Sequence, residues 1–167
     1  MLVALTGTPG TGKSSIAKIL RKKGYKIIAL NSVILKRKLV KDFDKKRKSW
    51  IVDIKKVERY LKEVEKKNKN KIIVIDSHIS HLLNVNFAIV LRCSPEELEK
   101  RLKKKRWPKQ KIIENVEAEI IDVIPVEAEE KLGKENIVEI DTTGKKPEEI
   151  AKQVEIILKN LEKKKEL

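Results

Sequence analysis

Cysteine, aromatic residues and long apolar runs are all scarce in this chain of 167 residues. Cys93 is the only cysteine, which excludes a disulfide framework or a cysteine zinc site within one chain. Aromatic residues make up 4%, too few for a platform that stacks single-stranded bases. No apolar run approaches the roughly 20 residues that span a bilayer, and the first run is too short for a signal peptide. The sequence therefore predicts a cytoplasmic protein with no membrane partner.

Positive charge, by contrast, is abundant. Lys and Arg number 40 against 25 Asp and Glu, which gives a net charge of +15. One interpretation is the solvated, lysine-rich surface of a heat-adapted protein, which the presence of only Gln110 and Gln153 as glutamines also suits. The other is a surface that contacts RNA, because a strongly basic domain attracts phosphate backbones. The two interpretations are compatible, and both stay open.

Short apolar runs alternate with amphipathic segments, and this alternation predicts the fold. The predicted strands are Leu2–Leu5, Tyr25–Leu30, Lys71–Asp76, Phe87–Leu91 and Ile137–Ile140. Helical patterns include residues 31–39 and a longer one over about 109–132, which Pro125 interrupts, while residues 41–49 look like a mobile connection. The order predicts an α/β protein with a five-stranded parallel sheet and helices on both faces. Residues 1–167 suit a single domain.

Residues 7–14 carry the strongest pattern in the chain. They read G-T-P-G-T-G-K-S and match G-x-x-x-x-G-K-[ST] at every position. A predicted strand precedes this string and an amphipathic helix follows it, which is the context of a phosphate-binding loop. Gly10 and Gly12 allow backbone angles that turn successive N–H groups toward a phosphate. The sequence therefore predicts a P-loop nucleotide-binding site.

The three residues that end this loop supply its side-chain chemistry. Lys13 can reach the β- and γ-phosphates of ATP, and the Ser14 hydroxyl can ligate Mg²⁺. Ser15 is placed to contact the α-phosphate. The sequence therefore predicts ATP as a substrate and Mg²⁺ as the cofactor.

A P-loop protein also needs a carboxylate on a neighbouring strand, to hold the metal through water. Asp76 closes the apolar run Ile72–Ile75 and is the best candidate, whereas Asp141 closes a less apolar strand near the chain end. His78 follows in the string D-S-H and has two interpretations, an ordinary loop histidine or a catalytic one. His81 has no comparable support, and we predict an ordinary loop residue there.

The chain contains the four strings G-T-P-G-T-G-K-S, I-I-V-I-D-S-H, I-V-L-R and E-N-V-E-A-E-I. Together they resemble the atypical adenylate kinases of the ribosome-biogenesis ATPase type, known in eukaryotes as the coilin-interacting nuclear ATPase family, and the chain looks like one of its archaeal relatives. The resemblance covers residues 1–161 and implies a nucleoside-monophosphate-kinase fold, with an AMP-binding segment at about 31–54 and a short lid at about 103–113. It implies adenylate kinase and ATPase activities. It also implies assistance in cleaving small-subunit rRNA precursor and binding of a small-subunit ribosomal protein.

The resemblance also implies roles for individual residues. In that family the acid and histidine of D-x-H position metal and water, so Asp76 and His78 inherit those roles. Arg37 matches a family arginine and is assigned to AMP. Arg92, directly after the fourth strand, and Arg101 are predicted phosphate contacts, and we assign Arg92 to AMP with Arg37.

The predicted lid has two candidates for its ATP-binding cation. Where relatives read R-G-Y, this chain reads Lys105, Arg106 and Trp107. An ungapped comparison places Lys105 under the family arginine, but chemistry favours Arg106, because a guanidinium grips phosphate through two bonds. A lid is needed since ATP in an open site would lose its phosphate to water. The loop 141–144, after the last strand, is where this architecture usually meets adenine.

Three functions remain open at this point. The first is phosphoryl transfer from ATP to AMP, and the second is an ATP-driven assembly factor that binds rRNA and a ribosomal protein. The third is a small-molecule kinase with a non-nucleotide acceptor, which Arg37 and the family strings disfavour. The AMP segment is unusually cationic, through Lys45, Lys46, Arg47 and Lys48, and this suits either RNA contact or thermal adaptation.

Overall fold

We describe a computed structural model of the chain, which covers residues 1–47 and 49–166, the last two of them for the backbone only. Its elements in chain order are β1 Leu2–Gly7, α1 Lys13–Lys22, β2 Lys26–Ala29, α2 Leu30–Lys36, β3 Val40–Asp44, β4 Ser49–Val52, α3 Ile54–Lys67, β5 Ile73–Asp76, β6 Phe87–Arg92, α4 Pro95–Lys104, α5 Lys109–Ile120, α6 Val123–Leu132, β7 Ile137–Asp141 and α7 Pro147–Glu166. Short 3₁₀ turns lie at Ser80–Leu82 and Lys134–Asn136. Among the helices of the described residues, none is long and apolar enough to cross a membrane.

Five strands form one parallel sheet in the order β2-β5-β1-β6-β7. This confirms the predicted five-stranded parallel sheet. The central strand β1 is buried along its whole length, as its apolar sequence requires. Its register places Leu5 beside Asp76 of β5 on one side and Ile89 of β6 on the other. The carboxyl ends of β1 and β5 therefore meet at the same edge of the sheet.

Helices cover both faces of the sheet, which also confirms the prediction. Alternate side chains of β1 point to opposite faces, because the side-chain period of a strand is two. Leu2 and Ala4 pack in one apolar cluster with residues of α3 and α6. Val3 and Leu5 pack in the other with residues of α1 and α7. These two clusters hold the strand that delivers the phosphate-binding loop.

The predicted mobile connection at residues 41–49 is wrong, because β3 and β4 form an antiparallel hairpin. The Phe43 and Trp50 rings lie on paired positions, edge to face, with their centroids 4.9 Å apart. The Asp44 carboxylate accepts hydrogen bonds from two backbone N–H groups of the turn. Cross-strand aromatic packing and this turn stabilise the hairpin. In the sequence, the many charged residues of the segment hide the strand pattern. Lys48 lies outside the described residues.

Two predicted helices have different limits in the structure. The helix predicted to reach Leu39 ends at Lys36. The pattern over 109–132 forms two helices, α5 and α6, which separate at Asp122 in the left-handed conformation with φ 54°. Pro125 lies in the first turn of α6, where the missing N–H removes no helical hydrogen bond. The break lies three residues before Pro125, where the proline ring would clash with the Ile121 carbonyl of a continuous helix. The structure therefore confirms the predicted interruption near Pro125.

Candidate active site

The phosphate-binding loop leaves the end of β1 and packs tightly between β6 and α4. Gly7 has φ 142°, and a Cβ there would lie 2.5 Å from the Leu91 carbonyl oxygen on β6. Gly10 has φ 100°, and a Cβ there would lie 2.9 Å from the Leu98 side chain on α4. Only glycine fits both the backbone angle and the space at these two positions. The loop geometry is thus set by the neighbouring elements as well as by its own sequence.

Lys13 begins α1 and folds back into the loop. Its Nζ donates hydrogen bonds to the carbonyl oxygens of Gly7 at 2.6 Å and of Thr8 at 3.1 Å. Burial lowers the pKa of Lys13 to about 8, although the negative charge of Asp76 acts in the opposite direction. The loop therefore holds a buried amine whose positive charge a bound phosphate would favour.

Asp76 ends β5 beside the loop, and His78 follows it. Burial raises the pKa of the Asp76 carboxyl, while Lys13 and the Ser14 hydroxyl lower it. Burial lowers the pKa of His78, and the positive charge of Lys13 acts in the same direction. His78 is therefore neutral near pH 7 and able to accept a hydrogen bond.

One cavity of about 570 Å³, called here the phosphate cavity, collects these side chains. Its lining comes from the loop, from the start of α2, from the end of β5 and from the region of the predicted lid. The side chains of chemical interest are Lys13, Ser14, Ser15, Asn31, Asp76, His78, Lys105, Trp107, Lys111 and Asn115. The volume lies within the usual range of small-molecule sites. The structure thus brings together the predicted phosphate, metal and D-S-H residues.

The donor set of the phosphate cavity fits Mg²⁺. Ser14 and Asp76 both line it and offer oxygen atoms, which are the ligands that Mg²⁺ prefers. Mg²⁺ usually binds through one or two carboxylates together with substrate phosphates. Within the described residues, no group of three or more His, Cys, Asp or Glu side chains is arranged to hold a metal by itself. The site therefore fits a cation that arrives with a nucleotide.

Two further cavities adjoin the phosphate cavity. The Thr142 cavity shares Gly10, Gly12, Ser15 and Lys105 with it and continues along the loop after β7 to α7. The Arg37 cavity shares Ala29 and Ser32 with it and runs between β2, α2 and α3. The two further cavities share wall residues with the phosphate cavity but none with each other. One lies toward β7 and the other toward β2, which are the two outer strands of the sheet.

The two candidate lid cations differ in their placement. Lys105 lines both the phosphate cavity and the Thr142 cavity. Arg106 has φ 55°, is exposed and lines neither cavity. Lys111, which the sequence does not single out, also lines the phosphate cavity and lies 4.4 Å from the centroid of the Trp107 ring. The cations brought to the phosphate cavity by this region are thus lysines.

Arg37 and Arg101 lie in the flanking cavities. The Arg37 guanidinium lies 4.7 Å from the centroid of the Tyr60 ring, in the cavity named after it. Arg101 donates to the Thr142 hydroxyl at 3.1 Å and to the Thr142 carbonyl oxygen at 3.0 Å. It also forms an ion pair with Glu97 at 3.0 Å. Arg101 therefore holds the loop after β7 in place.

The structure does not bring Arg92 to the predicted AMP site. Its Nε donates to Glu119 at 2.8 Å, its Nη1 donates to Glu139 at 2.6 Å, and it also pairs with Asp122. Burial acts to lower the pKa of Arg92, but these hydrogen bonds raise it above its usual value. The guanidinium lines none of the three cavities. Its donors are taken up by protein carboxylates, which is why it is not free to meet a substrate here.

Two buried polar residues near the loop escape prediction from the sequence. His81 bonds to the Thr6 hydroxyl through Nδ1 at 2.8 Å and to Glu127 through Nε2 at 3.0 Å, so it is not an ordinary loop residue. Glu119 is 4% exposed and accepts a hydrogen bond from the Thr8 hydroxyl. Glu119 is one of three glutamates in the same helix, and the sequence gives no local sign that it is buried while Glu114 and Glu117 are exposed. Only the string E-N-V-E-A-E-I marks the segment that contains Glu119.

Comparisons with known proteins agree with this architecture. The family model described as an AAA domain matches residues 3–122. A deoxyadenosine kinase from M. mycoides, solved with dCMP and dCDP bound, superposes with a TM-score of 0.56. The match covers 96% of this chain and 100% of that chain at 16% identity, and it supports the fold alone.

Archaeal relatives align along nearly the whole chain. A protein of Methanocaldococcus jannaschii is 39% identical over 166 residues, which cover 99% of this chain and 90% of the relative. One of Methanosarcina acetivorans is 45% identical and covers 96% and 88%, and one of Pyrococcus abyssi is 40% identical and covers 96% and 85%. Each of the three is described as "Putative adenylate kinase". With its P-loop and five-stranded parallel sheet, the chain belongs to this adenylate-kinase-like family of archaeal P-loop proteins.

Proposed function

We propose that the protein is an adenylate kinase, which transfers the terminal phosphoryl group of ATP to AMP. The observation that carries this proposal is the phosphate cavity, which shares wall residues with a second cavity toward β7 and with a third toward β2. A kinase for two nucleotides needs one base pocket on each side of a shared phosphate site. The names of the archaeal relatives support the same activity.

The Thr142 cavity is our proposed site for the adenosine of ATP. From there the phosphates would run along Ser15, Ser14 and Lys13, past the backbone N–H groups of the loop. Lys105 lines both cavities along that path and is our proposed lid cation. Arg101 would keep the loop after β7 in place.

The Arg37 cavity is our proposed site for AMP. Arg37 supplies a guanidinium at its wall, and Ser32 lies where it joins the phosphate cavity. An AMP bound here would direct its phosphate past Ser32 toward the end of β5. Asp76 and His78 would then lie between the acceptor and the terminal phosphate of ATP.

Transfer between these two phosphates asks the protein for positioning and positive charge rather than covalent chemistry. Lys13 would hold the phosphoryl group in transit, and Ser14 and Asp76 would hold Mg²⁺, the latter through water. The chemistry that Mg²⁺ supplies when bound is neutralisation of charge on the phosphate oxygens. Neutral His78 would orient the attacking oxygen, whether this belongs to AMP or to water. The same site would therefore carry a slower ATPase activity when AMP is absent.

The proposed activity is tested by ADP formation from ATP in the presence of AMP, CMP, GMP or UMP. We expect AMP to give the highest rate, at least about tenfold above ATP alone, because only a bound acceptor can replace water in a closed site. A protein that forms ADP at the same rate with and without every monophosphate would contradict the proposal.

Replacing His78 by alanine should separate binding from turnover. We expect turnover to fall by about 10²-fold, the lower end of the range for a residue that positions or transfers a proton. The dissociation constant of ATP should change less than about threefold, since the loop and Lys13 are untouched. Steady-state kinetics and nucleotide titration measure the two quantities. His78→Asn, which keeps a polar side chain, is the matched comparison, and unchanged turnover in both variants would make His78 an ordinary loop residue.

A second function, assistance in small-subunit maturation through rRNA binding, is favoured by the hairpin β3–β4. Trp50, Ile51 and Phe43 are 52%, 46% and 39% exposed. The cations Lys45 and Arg47 lie between Phe43 and Trp50 in the sequence. The chain has too few aromatic residues for an extended stacking platform, but one exposed aromatic pair beside positive charge suits one or two unpaired bases and the adjoining phosphates. In this second proposal a ribosomal protein is a further partner, and the kinase site provides an ATP-dependent step.

RNA binding by the hairpin should depend strongly on salt. We expect a variant in which Lys45, Lys46 and Arg47 are all changed to glutamine to bind small-subunit rRNA fragments more weakly. The slope of log binding constant against log salt concentration should decrease by up to about three units, about one for each lost phosphate contact. The matched control changes Lys152, Lys163 and Lys164 on α7, which are also exposed. Binding is measured by titration over a range of salt with no other protein present. Equal losses in both triple variants, or no RNA affinity at low salt, would rule out a hairpin site.

A further inference from the structure

We propose that Glu119 is a positioning residue for the phosphate-binding loop and links that loop to helix α5. The turnover part of this inference rests on the proposed kinase function, whereas the loop geometry does not. Glu119 lies near the end of α5 and is 4% exposed. A carboxylate is buried to this extent only when the fold satisfies it with donors and positive charge.

Both oxygens of Glu119 are occupied by groups at the end of the sheet. Oε2 accepts a hydrogen bond from the Thr8 hydroxyl at 2.5 Å. Oε1 accepts from Arg92 Nε at 2.8 Å and from the Cys93 backbone N–H at 3.1 Å. The carboxylate thus joins the phosphate-binding loop after β1 to the end of the neighbouring strand β6. Such charge-assisted bonds are among the stronger ones in proteins.

Thr8 is the residue through which this contact reaches the catalytic lysine. The Thr8 carbonyl oxygen accepts from the Thr11 backbone N–H at 3.2 Å, from the Thr11 hydroxyl at 2.9 Å and from Lys13 Nζ at 3.1 Å. Holding the Thr8 side chain therefore fixes the peptide group against which Lys13 rests. The negative charge of Glu119 also acts to raise the pKa of Lys13, against the effect of burial.

Helix α5 contacts Thr8 through Glu119 near its C-terminal end, and residues nearer its N-terminal end line the phosphate cavity. Lys111 and Asn115 line the cavity and precede Glu119 by two turns and one turn of the helix. A movement of α5 that shifts Lys111 would therefore pull on Thr8 as well. Glu119 gives the lid side of the cavity a direct connection to the loop that holds ATP.

Arg92 has a structural role here in place of the predicted contact with AMP. Arg92 is the positive partner that makes a buried Glu119 tolerable, and Asp122 and Glu139 hold the same guanidinium from its outer side. Removal of Arg92 would leave a buried carboxylate unpaired, which is costly. Arg92 therefore acts through Glu119 and not on the substrate.

The test uses Thr8→Val and Glu119→Gln in the full chain. Thr8→Val replaces the hydroxyl by a methyl group and leaves the pair between Glu119 and Arg92 intact. Its thermal midpoint should therefore fall by only a few degrees, the cost of one lost donor to a buried carboxylate oxygen. We expect kcat to fall about tenfold in each variant with a smaller change in KM for ATP, because loop position matters most in the transition state. Backbone hydrogen exchange in residues 8–13 should accelerate in both variants. The control is Glu117→Gln on the same helix, whose side chain is exposed.

The double variant decides between a shared contact and two independent effects. If the contact between Thr8 and Glu119 is what matters, the double variant is no worse than the worse single variant. Fully additive losses, or wild-type kcat and exchange in Thr8→Val, would overturn the inference. If the wild-type protein does not form ADP from ATP and AMP, the proposed function fails. The exchange data then still test the positioning of the loop.

Discussion

Replacing Lys13 by alanine is expected to lower phosphoryl transfer by about 10²–10³-fold, the cost of removing one preorganised charge from the transition state. Lys13 donates to the carbonyl oxygens of Gly7 and Thr8, so its ammonium group already lies within the loop. Alanine removes that charge and leaves the glycines that shape the loop. The kcat for ADP formation measures the loss, and circular dichroism checks that the fold persists.

The pH dependence of ATP binding gives the same prediction an independent check. The pKa of Lys13 is about 8 in the nucleotide-free protein because the side chain is buried. Bound phosphates favour the charged form, so binding takes up a proton above that pH and affinity should fall as pH rises beyond 8. Lys13→Arg stays charged and should lack this fall. Wild-type turnover in Lys13→Ala would contradict the role of the loop.

Replacing Asp76 by asparagine is expected to raise the Mg²⁺ concentration for half-maximal activity by at least about tenfold, and to lower turnover by about 10²-fold, as for loss of one charge-stabilising group. Asparagine keeps the shape of the side chain but removes its negative charge. A metal that is held through water requires that charge. Mg²⁺ titration of the initial rate at saturating ATP measures the effect.

Asp141 provides the matched control, since it also ends a parallel strand of the same sheet. It ends β7, lies exposed and accepts hydrogen bonds from Thr143, and it does not line the phosphate cavity. Asp141→Asn should therefore keep the wild-type Mg²⁺ dependence. Equal shifts in Asp76→Asn and Asp141→Asn would show that Asp76 has no special relation to the metal.

The sheet and the phosphate-binding loop can be predicted from the sequence because their signals are local. The run Leu2–Leu5 is continuous and apolar, as a strand buried on both faces requires. The string at residues 7–14 combines glycines with Lys13 and Ser14 at a spacing that the phosphate chemistry demands. Asp76 and His78 reach the phosphate cavity because β5 lies beside β1 in the sheet. The apolar run before Asp76 predicts the strand, and the need of a P-loop for a carboxylate on a neighbouring strand predicts where that strand lies.

The hairpin β3–β4 escapes prediction because its stabilising contacts cross between strands. Phe43 and Trp50 are seven residues apart and meet only when the chain reverses. Lys41, Asp42 and Asp44 dilute the apolar pattern, so the segment looks like a polar connection. The division between α5 and α6 is indicated by Pro125, but its place at Asp122 is not, because the left-handed conformation of that residue depends on its surroundings.

Long-range charge pairs account for the part of the site that the sequence does not reveal. Glu119 meets Thr8 across 111 residues and Arg92 across 27. Without these pairings, Arg92 looks like a free cation at the end of a strand, and the sequence therefore suggests a contact with AMP. The choice between Lys105 and Arg106 also depends on the folded backbone, since Arg106 takes a left-handed conformation and lies outside both cavities, whereas Lys105 lines both.

The fate of the terminal phosphate of ATP tests the proposed activity most directly. ATP labelled in its γ-phosphate is incubated with the protein, Mg²⁺ and AMP, and the labelled products are separated at early times. We predict that label appears in ADP, with inorganic phosphate as a minor product, and that Lys13→Ala forms neither. Label that appears only in inorganic phosphate, at a rate that AMP does not change, would contradict an adenylate kinase and leave an ATPase.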